Sequence, residues 1–339
     1  MAQVTNTFET FGARGIREEL SNTIHNTDPE ETPFMSLAGR KSIDSVTPEW
    51  QIDSYRAIDL NNNQPEGNEY NFDSRAATSR VKNFAQISYI PFIISGTLDE
   101  IKKAGRASEV AYQAVKAGVE LRRDMEAILL SNQASNAGTA GGATNRRLGG
   151  LRAWIASNDA LSGAGGPSSG GYNTGTGVVD AATNGTQRAF DKAILDTVVL
   201  NTYNNGGNVG KSTLICSPYV KQIFSQIMDD TNVAAPRVMF DKNKNTIMAS
   251  AEAYKSDFGT FMAVPNRQMA IAGATVARNA FLVDPEMVEV GMFRDIRIEK
   301  VAKTGDAEKR VLLAEYTLIV KNEKAHGCAA DLFGLTASS

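Results

Sequence analysis

Apolar and polar residues alternate most regularly between Pro91 and Gln133. The apolar run at 91–94 is typical of a strand, and from Thr97 onward apolar positions recur every three or four residues, the period of a helix. The pattern predicts a strand that continues without a loop into one helix over 97–132, roughly 50 Å long at about 1.5 Å per residue. The predicted packing face is Leu98, Ile101, Val110, Ala111, Ala114, Val115, Val119, Met125, Ile128 and Leu129, and the predicted solvated face includes Arg106, Arg122, Arg123 and Glu126.

The chain before this helix is polar or extended. Residues 1–47 carry only short amphipathic pieces interrupted by Pro29 and Pro33, which predicts an N-terminal arm without a core of its own. Residues 48–94 contain two extended stretches joined by the turn-rich segment 61–68, which predicts a long hairpin loop. Because an isolated two-stranded hairpin is marginally stable in water, we expect this loop to lie on another surface, that of a neighbouring copy.

The rest of the chain divides into two regions. Residues 138–285 begin with an insertion rich in Gly, Ser and Asn and continue as helix, strand and helix, which predicts an α/β domain. Two extended stretches within 286–339 meet across a Gly-Asp turn and predict an antiparallel strand pair. We expect the pair to cover the long helix, so that 95–137 and 286–339 form a second domain.

Composition indicates a globular chain. Of 339 residues, 42% are hydrophobic and 22% are charged, with a net charge of −3, and a chain of this length is expected to form more than one lobe. No apolar run is long enough for a membrane span and the first residues do not resemble a secretory signal, so we expect a cytosolic protein without a membrane partner. The balanced charge argues against a protein specialised in binding nucleic-acid phosphates. Cys216 and Cys328 cannot form a disulfide framework and are predicted to be buried free thiols.

Residues 205–212 read Asn-Gly-Gly-Asn-Val-Gly-Lys-Ser and resemble a phosphate-binding loop, which would favour a nucleotide-dependent enzyme as an alternative function. The motif requires Gly where Asn205 stands. It must also leave a strand and open a helix so that backbone amides point at phosphate, whereas here a predicted helix precedes it and a strand follows. We therefore predict a glycine-rich turn.

Other catalytic and metal-binding signals are weak. His25 and His326 have no Cys, Asp or Glu at metal-ligand spacing and are predicted to be structural or exposed. The carboxylates Asp28, Glu30 and Glu31 are predicted to be helix-start or solvated charges. No Gly-x-Ser-x-Gly elbow has a partner histidine. The sequence predicts no enzyme, no cofactor and no metal site.

Charged and aromatic residues supply candidates for contacts between copies. The predicted loop tip is acidic and has no Lys or Arg between 59 and 73. Two interpretations stay open: a solvated tip, since exposed ion pairs contribute about 0–1 kcal/mol, or charges that select the partner surface, with the basic face of the long helix as its complement. The polar connector 229–245 is predicted to meet its own copy in a ring. The candidates are Trp50, Asp59, Glu66, Glu69, Asp73, Arg106, Arg122, Arg123, Lys242 and Lys244.

Short motifs occur in a specific order along nearly the whole chain. They are Gly15-Ile-Arg-Glu-Glu-Leu20, Glu31-Thr-Pro-Phe-Met35, Glu49-Trp50, Asn83-Phe-Ala-Gln-Ile87, Ser95-Gly-Thr97, the run from Ala104 to Gln113, Arg123-Asp-Met-Glu126 and Leu148-Gly-Gly-Leu151. With the order of elements, they resemble the major capsid proteins of tailed phages. The resemblance implies an α+β fold of the Hong Kong 97 type, with an N-terminal arm, an extended hairpin loop, a peripheral domain built on a spine helix, and an α/β axial domain.

The resemblance also implies a function. A subunit of this kind assembles with itself into pentamers and hexamers of an icosahedral head around packaged double-stranded DNA, which it contacts weakly and without sequence preference. It is assembled in the host cytoplasm and resides in the virion. No fused scaffolding region is expected before residue 1, so either a separate scaffolding protein or none must serve. A scaffolding protein, a portal and decoration proteins are the candidate further partners. An encapsulin-like cellular shell is the alternative within the same fold.

Overall fold

The computed structural model describes residues 28–69, 72, 74–75, 77–229 and 253–338. Over these residues the fold is α+β, as predicted. The helices are α1 (Pro33–Leu37), α2 (Gly96–Glu100), α3 (Glu109–Leu130), α4 (Leu151–Trp154), α5 (Lys192–Asn204), α6 (Pro218–Asp229), α7 (Arg267–Ile271) and α8 (Ala274–Ala277). The strands are β1 (Gly39–Ser42), β2 (Glu49–Ile52), β3 (Ser79–Lys82), β4 (Gln86–Ser95), β5 (Asp159–Ala160), β6 (Gly171–Asn173), β7 (Val178–Asp180), β8 (Thr213–Cys216), β9 (Ala253–Ser256), β10 (Gly259–Pro265), β11 (Ala280–Val283), β12 (Val288–Lys300), β13 (Ala307–Val320) and β14 (Gly327–Ala329).

One layer is a four-stranded sheet in the order β1-β12-β13-β4. β12 and β13 are antiparallel, β4 pairs antiparallel with β13, and β1 joins parallel to β12. Alternation along β4 explains how the sheet meets the helix: Ile90 and Phe92 pack into the larger hydrophobic core, while Tyr89 and Ile93 face away from it. The predicted antiparallel strand pair is confirmed, and α3 contacts β13 of that pair together with β4 on the inner face.

The helix predicted over 97–132 is two helices in the structure. α2 follows β4 directly, and the Ser95 hydroxyl accepts a hydrogen bond from the Leu98 amide, so the junction without a loop is confirmed. The chain then turns through Gly105, whose φ is 77°, and Ser108 caps the N-terminus of α3. The prediction of a single helix over 97–132 is therefore wrong, because Gly105 has a left-handed backbone conformation and Ser108 caps a new helix. α3 has 22 residues, which gives about 33 Å.

The packing face of α3 is narrower than its periodicity predicts. Its buried apolar side chains are Leu130 and a row spaced by four, Ala117, Leu121, Met125 and Leu129, which enters the larger core. Val115, predicted to pack, is 71% exposed. Periodicity shows that a face is apolar but not how much of it the same chain covers, and the N-terminal part of this face stays open.

The second layer is a six-stranded mixed sheet in the order β5-β14-β11-β8-β10-β9. The predicted succession of α5, β8 and α6 is confirmed, and the Ser217 hydroxyl accepts a hydrogen bond from the Val220 amide at the start of α6. The C-terminal strand β14 lies between β5 and β11. The boundary predicted at residue 286 therefore does not separate the two sheets, because the chain from about 323 returns to the α/β domain.

The predicted hairpin is paired only at its base. β2 and β3 pair from Glu49 opposite Lys82 to Ile52 opposite Ser79, and no strand occurs among the described residues of 53–78. The sequence assigns 86–94 to the second arm of the hairpin, but β4 pairs with β13 instead. The inner residues of β4 complete the core beside α3. A hairpin that stood free of the body could not bury these residues in that core. Among the described helices, none combines the length and apolarity that a membrane crossing requires.

Substitutions at two glycines test the break between α2 and α3. Gly118→Ala should raise the free energy of unfolding by about 0.5–1 kcal/mol, because alanine is the better residue inside a helix and the nearest neighbour of its Cβ is the Leu312 side chain at 4.0 Å. Gly105→Ala should lower it by about 1–2 kcal/mol, because an L-residue is strained at that positive φ. Urea unfolding of the unassembled subunit measures both. A neutral Gly105→Ala would mean that the helix is continuous.

Candidate assembly surface

Glu126 joins three parts of the chain. It lies in α3 with a fully buried side chain, and its carboxylate accepts hydrogen bonds from the amides of Phe34 at 2.7 Å and Met35 at 2.9 Å and from the Asn266 side-chain amide at 2.6 Å. The two backbone amides belong to the first turn of α1, whose amides have no partner within the helix. Asn266 caps α7 in the α/β domain. One carboxylate therefore holds the N-terminal arm and the α/β domain on the same turn of α3.

The environment of Glu126 has opposing effects on the pKa of its carboxyl group. Burial raises the pKa of the carboxyl group, and the hydrogen bonds from Met35, Phe34 and Asn266 oppose that rise by stabilising the ionised form. All three neighbours are donors, so the ionised carboxylate fits the site without an unmatched proton.

Gln268 and Arg123 extend this attachment along the arm. The Gln268 side-chain nitrogen donates to the carbonyl oxygens of Pro29 at 3.1 Å and Glu31 at 3.2 Å, and its oxygen accepts from Arg123 Nε at 3.2 Å. Arg123 also lies 4.0 Å from the Asp28 carboxylate. These contacts hold arm residues 28–35 to α3 and α7. The residues of this arm clamp are Arg123, Glu126, Asn266 and Gln268.

The base of the extended loop is held by Asn83, which is fully buried. Its side-chain nitrogen donates to the carbonyl oxygens of Leu318 at 2.8 Å and Gly149 at 3.3 Å, and its oxygen accepts from the Gly149 amide at 2.8 Å. One amide group thus fixes the loop base to β13 and to the glycine-rich insertion. The loop leaves the body of the subunit from a rigid point.

Trp50, an assembly candidate, lies at this base and packs within its own chain. Its ring is half-buried, with its centroid 5.6 Å from that of Trp154, which stacks on Tyr172 at 5.9 Å. Internal packing accounts for its position, and a contact with another copy stays a prediction.

The three candidate arginines do not form one surface. Arg106 lies in the turn before α3, with its Nε 2.5 Å from the carboxylate of the buried Glu109 and its guanidinium over the Tyr112 ring. Arg123 belongs to the arm clamp, and Arg122 is exposed. Two of the cations predicted to receive the acidic loop tip are thus engaged by their own chain. The basic face of the helix is smaller than the sequence indicates.

The extended loop exposes both charge and apolar surface. Asp59, Glu66 and Glu69 are exposed, as both interpretations of the acidic tip require, and Asp73, Lys242 and Lys244 lie outside the described residues. Four apolar side chains of the loop are exposed together with these carboxylates. They keep 91–104% of their surface in solvent and are Tyr55, Ile58, Leu60 and Phe72.

Residues 205–212 form the turn between α5 and β8, as predicted. Lys211 pairs with the Glu286 carboxylate at 2.8 Å. Because the segment leads into a strand, no following helix presents its N-terminal amides to a phosphate, and the geometry disfavours the nucleotide-binding alternative.

Among the described residues, His326, Cys216 and Cys328 are buried side chains that can gain or lose a proton, and each lies in the interior of the fold. His326 Nδ1 accepts a hydrogen bond from the Asp284 amide at 3.2 Å, and burial lowers the pKa of this histidine to about 4. Cys216 and Cys328 are buried free thiols, as predicted, and burial raises the pKa of each to about 12. His25 lies outside the described residues, among which no cluster of metal-ligating side chains occurs.

Sequence reasoning missed the arm clamp. It places Glu126 on the solvated face of the helix, whereas the side chain is fully buried. The available signal was its position directly after Met125 and three residues before Leu129, at the edge of the packing row. That signal marks an unusual carboxylate, but only the tertiary structure shows which donors meet it.

The arm clamp predicts a large effect of one conservative substitution. Glu126→Gln places an amide nitrogen against groups that can only donate, so the free energy of unfolding should fall by about 1–3 kcal/mol. Residues 28–35 should also become accessible to a protease. Urea unfolding and limited proteolysis of the unassembled subunit measure this. Glu120→Gln, at a half-buried position of the same helix where the carboxylate meets Lys116 at 3.8 Å, is the control. It should change stability by less than about 0.5 kcal/mol, and equal stability of both variants would contradict the clamp.

The burial of His326 predicts that the free energy of unfolding depends on pH. In the unfolded chain its pKa is about 6.5, so acid protonates the unfolded state before the folded state. Its contribution to stability is therefore complete above that pKa and is lost as the pH falls toward 4. Between pH 7 and pH 5 the free energy of unfolding should fall by about 2 kcal/mol more in the parent than in His326→Gln. Urea titrations at both pH values test this, and parallel pH profiles would refute it.

Comparison with known proteins gives a consistent result. The family model of the SU10 major capsid protein matches residues 3–333. The major capsid protein of Escherichia phage Phieco32 is 25% identical over 358 residues, covering 98% of each protein. This whole-length match agrees with the resemblance seen in the motifs.

Solved capsids share the fold. The capsid of the native GTA particle has a TM-score of 0.63 at 11% identity, covering 95% of this chain and 97% of that chain. The Cyanophage A-1(L) capsid chain has a TM-score of 0.63 at 12% identity, covering 96% and 98%. At these identities the structures show the Hong Kong 97-like fold, while the family match shows the role and favours a phage head over an encapsulin-like shell. The chain belongs to the SU10 major capsid protein family and is a structural subunit of a tailed-phage shell.

Proposed function

We propose that the subunit closes its shell through the extended loop, residues 53–78, which lies across a neighbouring copy. The observation that carries this proposal is the exposure of Tyr55, Ile58, Leu60 and Phe72. Several large apolar side chains left uncovered along one segment of a chain mark an interaction site. Covering each one contributes about 1.5–3 kcal/mol, which the isolated subunit does not gain.

The base of the loop supports this role. Asn83 and the contact between Trp50 and Trp154 hold the point where the loop leaves the body. A rigid base reduces the conformational entropy lost on docking. A segment of this length, if fully extended outward and back, reaches at most about 40 Å at about 3.3 Å per residue, which is far enough to cross onto another subunit.

The two layers have separate proposed places in the shell. The four-stranded sheet with α3 forms the peripheral domain. The α/β domain, together with residues 323–338, forms the axial domain at the capsomer centre. The connector 229–245 is proposed for the inner rim, where Lys242 and Lys244 would meet acidic residues of the next copy in the ring.

The remaining partners follow from the same role. Pentamers and hexamers would assemble in the host cytoplasm around double-stranded DNA, with a separate scaffolding protein, a portal and decoration proteins as further components of the head. Contact with DNA would be weak and non-specific, since a net charge of −3 offers no basic excess. This role requires neither catalysis nor a cofactor.

Electron microscopy of the purified subunit tests the loop proposal. The parent should form closed shells or capsomer rings. Deletion of residues 60–71, or replacement of Tyr55, Ile58 and Leu60 by serine, should leave the melting temperature of the unassembled subunit unchanged and abolish closed shells, because the docking surface is lost. Replacing Asn61, Asn62 and Asn63 by serine in the same loop is the matched control and should preserve them. Normal shells from the deletion would refute the proposal.

A further inference from the structure

A groove lies beside the arm clamp, between α3 and α7. It has a volume of about 460 Å³, which is within the range of sites that take a ligand or several side chains. Its apolar lining is Ile90, Ala127, Ile271 and Ala272. Ile271 is 54% exposed, so the described part of the chain leaves this lining uncovered.

The charged lining of the groove comes from α3 and consists of Glu120, Arg123 and Asp124. Arg123 is already engaged within the arm clamp. Glu120 meets Lys116 only at 3.8 Å, and Asp124 is exposed. Carboxylates therefore exceed available cations in the groove, which fits an occupant that is apolar and carries a positive charge.

The N-terminal arm enters the described structure at the wall of this groove. Gln268 and Arg123 line the groove and also contact arm residues 28–31. Ile271 stands three residues after Gln268 in α7, so the two side chains are neighbours on one face of that helix. The 27 residues that precede this part of the arm therefore start from the edge of an uncovered apolar surface.

These preceding residues contain a row of apolar positions. Ile16, Leu20 and Ile24 are spaced by four, a spacing that puts side chains on one face of a helix. At about 100° per residue, Arg17 flanks this row and Asn22 falls on the opposite side. Ile24 is four residues from the start of the described arm, within about 13 Å of it at about 3.3 Å per residue.

We infer that residues 16–24 of the same chain dock into this groove. Leu20 and Ile24 cover Ile271, and Arg17 lies toward the carboxylates of α3. Covalent attachment a few residues away gives this segment a high effective concentration at the groove, which a separate molecule in dilute solution does not reach. The arm from residue 16 onward is then part of the unassembled subunit and not a contact made first in the shell.

Disulfide trapping in the unassembled subunit tests the contact. The variant Ile24→Cys/Ile271→Cys is prepared as a mixture of isotopically labelled and unlabelled chains and oxidised at pH 8. Mass spectrometry should find the 24–271 link within one chain. The native thiols do not interfere, because Cys216 and Cys328 are buried and burial raises the pKa of each to about 12. The control Asn22→Cys/Ile271→Cys has nearly the same tether but the opposite side of the row, so its link should form at least about tenfold more slowly.

Trypsin cleavage supplies a second readout without added thiols. Docking should protect the bond after Arg17, and the bond after Arg56, exposed in the extended loop, is the internal reference. Ile271→Asp should speed cleavage after Arg17 by about tenfold, the effect of losing one well-packed contact. Cleavage after Arg56 and the melting temperature should not change. Leu200→Asp, at an exposed position on α5, is the matched control and should leave both cleavage rates as in the parent.

Each outcome decides the inference. A 24–271 link within one chain, together with faster cleavage after Arg17 in Ile271→Asp, supports it. A link found only between labelled and unlabelled chains assigns the groove to a second copy and overturns it. Equal linking in both cysteine pairs, or unchanged cleavage in Ile271→Asp, also overturns it. These measurements involve neither the shell nor the extended loop, so the loop proposal stands or falls separately.

Discussion

The buried carboxylate of Glu126 is the interaction on which the arrangement of the described chain depends. A carboxylate removed from water is costly unless donors surround it, and its donors here come from the arm, through Phe34 and Met35, and from the α/β domain, through Asn266. If either the arm or the α/β domain moved away, the Glu126 carboxylate would lose hydrogen-bond donors while it is still buried in the core. The position of α3 relative to the arm and the second sheet is therefore set by a polar contact inside an apolar core.

Buried polar joints of this kind occur at two further places where parts of the subunit meet. Asn83 links the loop base to β13 and the insertion, and Glu315, almost fully buried, lies between Arg146 and Arg294. Such joints impose geometry because each donor needs its acceptor at one distance and angle. Apolar packing supplies most of the stabilisation, and the joints decide how the layers sit on one another.

In contrast to these buried joints, several apolar surfaces of the subunit are not covered by their own chain. The loop around Ile58, the outer face of β4 and the open part of α3 near Val115 remain in solvent in a chain whose two cores are otherwise well filled. These uncovered apolar surfaces are available for contacts with other molecules. Buried polar joints within the subunit and exposed apolar faces on its surface together suit a protein that must be stable alone and more stable assembled.

The sequence by itself determined what depends on local pattern. Helical periodicity and caps located α5, β8 and α6, alternation located the pairing of β12 with β13, and the order of motifs indicated the family. Only the tertiary structure decided the break at Gly105, the pairing of β4 with β13, the return of β14 to the other sheet and the burial of Glu126. Periodicity reports which side of an element is apolar, whereas register, burial and the partners of a charge depend on which distant surfaces meet, and no local window of residues contains that information.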